Sequence, residues 1–204
     1  CIEHFVSSGS TVNVCALDLS KTFDKMNHYS LFIKLMERKF PVEILSIIEN
    51  WFAISETCVK WCNVTSPFFK LVTGVRQGGV WSPVLFAILI DSLVSKVIAT
   101  KVGCYRSTVC ICIFLYADDI ILLSPTVTGL QRLLTAVEHE LLDVDMKLNV
   151  NKSFCMRFGA QYDKHCANII SIDGSALQWV NKCRYSGVYF ITGRILRCCF
   201  THAK

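Results

Sequence analysis

Apolar and polar positions follow two rhythms along this chain, and the rhythm names the element. Val12 to Leu19 is an apolar run that ends in an acid, Asp18, and predicts a buried strand. From Tyr29 to Lys39 the apolar positions Leu31, Phe32, Leu35 and Met36 recur at helical spacing. Pro41 suits the first turn of a second helix, Val42 to Phe52, with Ile44, Leu45, Ile48, Trp51 and Phe52 on its apolar face. Thr57 to Val64 and Phe68 to Val72 predict two strands joined at Thr65-Ser66-Pro67. Ser82 and Pro83 cap a helix running from Val84 to about Ile98 that is apolar nearly all round, and so is expected to be buried.

Val109 to Tyr116 and Ile120 to Leu123 are two further apolar runs, separated by Asp118 and Asp119. They predict a hairpin with both arms in the core and an acid pair at its tip. Thr126 or Thr128 caps a helix to about Met146, with Leu130, Leu133, Leu134, Val137, Leu141 and Val144 as its stripe. The polar segment from Lys147 to Lys152 turns into a strand, Phe154 to Phe158. Asp173-Gly174 marks a hairpin between 168–172 and 176–180, and Cys183 to Phe190 predicts a last strand.

The 204 residues suffice for one domain with a real core. With 52% hydrophobic and 18% charged residues, the chain is not a disordered one. It begins at Cys1 rather than Met, as a piece of a longer protein would. No uncharged apolar run reaches the roughly 18 residues of a membrane helix, so no membrane partner is expected. The net charge of +5 permits nucleic acid without demanding it. Most of the 12 Cys lie within apolar stretches, as small hydrophobes in a reducing, intracellular compartment would. Nucleus and cytoplasm are not distinguished. His165-Cys166 and Cys198-Cys199 with His202 lack the paired spacing of a zinc site.

The acids change the picture most. Two unit charges about 4 Å apart repel by about 4 kcal/mol at a surface-like dielectric. A solvated turn tolerates such a pair. So does a divalent cation, since Mg²⁺ takes carboxylate and phosphate oxygens together. Asp18, at the end of another predicted strand, is a further ligand candidate. Between them, Gly74-Val-Arg-Gln-Gly-Gly79 is a loop where backbone can approach a ligand, with Arg76 as a phosphate-compatible charge.

Three segments in order resemble the reverse transcriptase domain of non-LTR (LINE-type) retrotransposons: Leu17-Asp-Leu-Ser-Lys-Thr-Phe-Asp24, Gly74 to Gly79 with Ser82-Pro83 and Phe86, and Tyr116-Ala-Asp-Asp119. Leu148 to Ser153 and Arg184 to Val188 extend the resemblance from about Val12 to about Phe190. It implies an α+β fold, a right-hand polymerase palm whose antiparallel sheet is backed by helices, with part of the fingers and with the thumb downstream. It implies RNA-templated DNA synthesis from deoxynucleoside triphosphates on a DNA primer, within a retroelement polyprotein. Asp18, Asp118 and Asp119, with the Leu19 carbonyl, would hold two Mg²⁺, or Mn²⁺ in their place. Lys152 matches a proton donor to pyrophosphate. Phe23 matches a steric gate against the ribose 2′-hydroxyl. By the same resemblance Arg76, Gln77 and Gly78 would face the nucleotide and template, and Tyr185 and Gly187 would grip the primer. The alternative is a catalytically inactive remnant that at most binds nucleic acid. Three positions depart from the family pattern: Thr22 for a usual alanine, and Trp81 and Ser186 for usual leucines. In a tightly packed turn, Trp81 would cost about 1–3 kcal/mol.

Overall fold

A computed structural model of the chain describes residues 1–20, 22–76, 78–185 and 188–199. These fall into two compact units. One takes residues 1–20, 92–143 and the described residues from 147 onward. The other takes the described residues from 22 to 91 together with 144–146. The helices are α1 (Ile2–Ser7), α2 (His28–Glu37), α3 (Val42–Ala53), α4 (Ser82–Ala99) and α5 (Val127–Asp143). The strands of the two larger sheets are β1 (Val12–Leu17), β2 (Ile113–Tyr116), β3 (Asp119–Ser124), β4 (Phe154–Phe158), β5 (Ile169–Ile170), β6 (Ala176–Trp179), β7 (Lys182–Tyr185), β8 (Val188–Ile191) and β9 (Arg197–Cys199).

The first unit is built on a six-stranded sheet in the order β5-β6-β4-β1-β3-β2. Its ladders are antiparallel except β4–β6, which is parallel. The expected sheet was antiparallel throughout. The long excursion 159–175 allows the exception, because parallel neighbours need a connection of about a dozen residues or more. β1 is central and buried along its whole length. Val12, Val14, Leu123, Met156 and Phe158 form one buried cluster with Val6 of α1, and Phe190 of β8 packs against it. The alternate set, Cys15, Leu17, Ile120, Leu122 and Cys155, is buried on the opposite face. α5 packs on β1 and β3 through Leu130, Leu133, Leu134, Val137 and Leu141. Its Glu138 accepts hydrogen bonds from Ser171 Oγ and, at 3.0 Å, from Ile172 N, which ties the helix to the β5–β6 hairpin. Burial above all, then Cys155 and Glu138, push the Cys15 thiol pKa up.

In the second unit, Asn27 caps α2 by accepting from Tyr29 N and Ser30 N. His28 stacks on Phe52 of α3 with ring centroids 4.0 Å apart, and its Nε2 lies 2.6 Å from the Gly74 carbonyl. Gly74 has φ 82°, and a Cβ there would sit 2.5 Å from the Asp24 carbonyl oxygen. The glycine is therefore required for a close approach of backbone to backbone.

Several predicted elements need correction. The run from Val109 to Tyr116 is not one core strand: 109–110 pairs with 105–106, and β2 starts only at Ile113. β2 is the outermost strand, with Phe114 and Tyr116 exposed, so only the β3 arm of the hairpin is core. α4 is buried on one stripe, Leu85, Phe86, Leu89, Ile90, Leu93 and Val97, while Val84 and Ile98 are exposed. By length and composition α4 would suffice to cross a bilayer; it carries Asp91, paired with Arg38, and Lys96, paired with Glu140. The region from 56 to 70 forms two nested ladders, 56–57 with 69–70 and 60–61 with 64–65, so its turn lies at Cys62-Asn63 rather than 65–67. α5 stops at Asp143, and Asp145 adopts φ 58°. The single last strand is instead the β7–β8 hairpin, with Tyr185 paired to Val188.

Candidate active site

Two strand ends bring the acids together. Leu17 of β1 pairs with Ile120 of β3. Carried one residue further, that antiparallel ladder sets Asp18 across from Asp119, on the face shared by Ala16 and Ile121. Asp118 occupies the two-residue turn between β2 and β3, where Tyr116 pairs with Asp119. Ala117 beside it has φ 51°. A left-handed residue at that turn position favours glycine, so alanine there holds a little strain under the acid pair.

A second segment closes on Asp18. Asn149 N donates to the Asp18 carbonyl at 2.8 Å, and Ser20 N donates to Lys147 O at 2.9 Å. Leu19, itself buried, forms a bridge with Leu148 between them. Asp18 N donates to Ser153 Oγ at 3.0 Å, and that hydroxyl donates on to Asn149 O at 2.8 Å. Asn149 Nδ2 donates to Asp18 Oδ2 at 3.1 Å. Lys152 Nζ stands 3.9 Å from the same oxygen. Asp18, Asp119, Lys152, Arg184 and Tyr185 line a cleft of about 230 Å³ floored by Ala16, Leu17 and Phe154.

The cleft is electrostatically tense. Burial first, then the charges of Asp118 and Asp18, raise the Asp119 carboxyl pKa, against a hydrogen bond from Tyr185 that lowers it. Burial and the neighbouring Asp119 push the Tyr185 phenol up to about 12, so it stays protonated and donates. Among the described residues, no group of three or more His, Cys, Asp or Glu side chains forms a ready cage for an ion. That includes His165 with Cys166; His202 lies outside the described residues. The acids nevertheless suit Mg²⁺. Their donors are hard oxygens, the excess negative charge lacks a full counter-charge, and Mg²⁺ uses one or two carboxylates plus substrate phosphates rather than an all-protein cage.

The other candidates belong to the second unit. Phe23 is half-buried, with its ring 5.5 Å from Phe86 and its carbonyl accepting from Val75 N at 2.7 Å. Arg76 is exposed, and its carbonyl accepts from Gly79 N at 3.0 Å and Ser82 Oγ at 2.6 Å. Gly78 has φ 80° with open space where a Cβ would lie. Gln77 and Gly187 lie outside the described residues. Trp81 is 59% exposed, so the packing cost expected of it does not arise. Sequence reasoning gave Asn149, Ser153 and Arg184 no individual role at the site. Asn149 and Ser153 sat in a segment singled out for Lys152 alone, and no periodicity marks a polar side chain that folds back on an acid.

The model of the family described as reverse transcriptase (RNA-dependent DNA polymerase) matches residues 4–190. The Pol polyprotein from the type-2 retrotransposable element R2DM of Drosophila melanogaster is 28% identical over 193 residues, 91% of this chain and 18% of that one. The polyprotein of the R2 element of Nasonia vitripennis is 28% identical over 139 residues, 68% of this chain and 14% of that one. The chain thus spans less than a fifth of the length of these relatives. Telomerase from Candida tropicalis, solved in complex with a TWJ fragment of telomeric RNA, shares the fold, with a TM-score of 0.63 at 13% identity over 96% of this chain and 30% of that one. The α+β polymerase palm implied by the motifs is the fold observed. On motif order, fold and family match together, the chain belongs to the reverse transcriptase (RNA-dependent DNA polymerase) family, as a reverse transcriptase domain of the non-LTR retrotransposon type.

Proposed function

We propose that this chain houses the nucleotidyl-transfer centre of an RNA-directed DNA polymerase, which extends a DNA primer on an RNA template with deoxynucleoside triphosphates. The observation that carries the reading is the Leu17–Ile120 register, which aligns Asp18 with Asp119 beside Asp118. In this reading Asp18, Asp118 and Asp119, with the Leu19 carbonyl, hold two Mg²⁺. Bound there, the ions neutralise charge on the attacking 3′-hydroxyl and on the leaving pyrophosphate. The protein's own part is positioning. Asn149 and Ser153 fix the backbone and carboxylate of Asp18. Lys152, a largely exposed side chain at the cleft, steadies the triphosphate and offers a proton to the leaving group. Tyr185 orients Asp119. Phe23, backed by Phe86, serves as the sugar gate, and the resemblance of the motifs gives Arg76, Gln77 and Gly78 a role in nucleotide binding and Tyr185 and Gly187 a role in gripping the primer. The unit holding the acids acts as palm, and residues 22–91 as part of the fingers.

The test is primer extension on RNA by the longer parent polypeptide. Asp118→Ala should reduce extension at least about 1,000-fold, since metal-assisted charge stabilisation contributes several kcal/mol. Undiminished extension in that variant would remove the assignment.

A further inference from the structure

A larger cavity lies in the same unit, away from the acids. It measures about 800 Å³, and its lining includes Arg157, Lys164, His165, Gln178, Trp179 and Asn181. Arg157 on β4 pairs in register with Asn13 near the start of β1. Asn13 and Asp18 lie at opposite ends of that strand, roughly 16 Å apart at the usual rise. The cavity is therefore not the acid cleft.

Arg157 is only 8% exposed. Its Nε donates to Asn13 Oδ1 at 2.8 Å, and its Nη1 reaches the carbonyls of Gln161 and Lys164 at 3.4 and 3.3 Å. None of these acceptors carries a charge, and among the described residues Arg157 makes no ion pair. A guanidinium this deep without a counter-charge is costly. Its Nη2 has no acceptor among the described residues, yet among those same residues no fully buried side-chain nitrogen or oxygen lacks a partner. Nη2 therefore opens to solvent, on a residue that lines this cavity. The guanidinium also lies over the Trp179 ring, 5.6 Å from its centroid, and Trp179 Nε1 donates to Ala167 O at 3.1 Å. The indole is thus held at its edge and on one face before any ligand arrives.

We propose that this cavity binds single-stranded nucleic acid. Arg157 and Lys164 take a phosphate, Trp179 stacks a base, and the Gln178 and Asn181 amides meet the base edge. One anchored cation, Arg157, and the exposed Lys164 beside a held aromatic platform outweigh the single acid of the lining, Asp163, and that combination is the chemistry of strand binding, which tolerates any sequence. The cavity exceeds the needs of a lone phosphate and falls within the range of ligand sites. This reading is independent of the polymerase assignment: loss of either leaves the other standing.

The test uses the 204-residue chain with the exposed Trp51, Trp61 and Trp81 changed to Phe, leaving Trp179 as the sole reporter. A 12-nucleotide oligo(U) should quench its fluorescence in a saturable way, and uridine monophosphate, inorganic phosphate and polyglutamate should bind at least 10-fold more weakly. Lys164→Glu, at an exposed side chain that folding does not need, should weaken oligo(U) at least 10-fold. Lys101→Glu, a charge-matched change elsewhere, should alter it less than 3-fold. No quenching by oligo(U), equal affinity for any of the three competitors, or equal losses in the two lysine variants would each overturn the proposal.

Discussion

Asn149 clasps Asp18 at two points: its backbone N–H donates to the Asp18 carbonyl at 2.8 Å, and its side-chain amide donates to Asp18 Oδ2 at 3.1 Å. The acid is therefore oriented by a residue 131 positions away. Groups that orient a metal-binding carboxylate typically matter about 10–100-fold in metal affinity. Asn149→Ala in the parent polypeptide should raise the Mg²⁺ concentration for half-maximal extension by about 10-fold. An unchanged Mg²⁺ dependence would mean that the clasp is only structural.

Tyr185 and Asp119 predict a pH effect. The Asp119 pKa is raised in the folded chain. A raised acid contributes stability that is present below its unfolded value of about 3.9 and is lost as pH rises through the folded value. At neutral pH, Asp119 therefore costs stability. Asp119→Asn should raise the melting temperature at pH 7 by about 1–3 °C, the scale of a screened, partly exposed charge interaction, and the gain should vanish near pH 3. Scanning calorimetry at the two pH values decides it.

The same pair makes a second, separable prediction. Tyr185 is the donor that opposes the upward shift of Asp119. Tyr185→Phe should move the Asp119 titration further upward, read by carboxyl-carbon NMR. The acid limb of Mg²⁺-dependent extension should follow in the same direction. A downward move would show that the phenol does not donate to this carboxylate.

Gly74 and Gly78 separate backbone strain from steric clash. Both have φ near 80°, but a Cβ on Gly74 meets Asp24 O at 2.5 Å, whereas one on Gly78 meets nothing within 4 Å. Gly78→Ala should cost only the left-handed penalty of about 1–2 kcal/mol. Gly74→Ala should cost distinctly more, because the 22–26 segment must also shift. Urea unfolding of the two variants gives the comparison, and equal costs would show that the 74 loop yields freely.

Trp81 offers a control on the family pattern. It departs from the usual leucine, yet its side chain is largely exposed. Trp81→Leu should change unfolding free energy by no more than about 0.5 kcal/mol. A larger effect in the same urea assay would mean that the indole packs in solution.

Asp18, Asp118 and Asp119 could be picked out from the sequence because each interrupts or ends an apolar run, a local signal. α2, α3, β1 and β4 were legible for the same reason: their periodicity records which side is buried. Where one residue type served two environments, reading failed. The 113–116 segment looked like core although it is an outermost strand, and α4 looked buried all round although Val84 and Ile98 face solvent. The division of 183–190 into two paired strands was missed because Cys183 and Tyr185 on one side and Val188 and Phe190 on the other are alike apolar or aromatic.

The sequence by itself determined the residue types at the site, their order, and the segments that carry them, because local propensity and burial pattern act over a few neighbours. Only the tertiary structure decided that Leu17 meets Ile120, that Asn149 folds back on Asp18, and that Arg157 lies over Trp179. Those pairings join residues from 22 to 131 positions apart, and each is selected by the summed packing and hydrogen bonding of a whole sheet, which no short stretch of chain encodes.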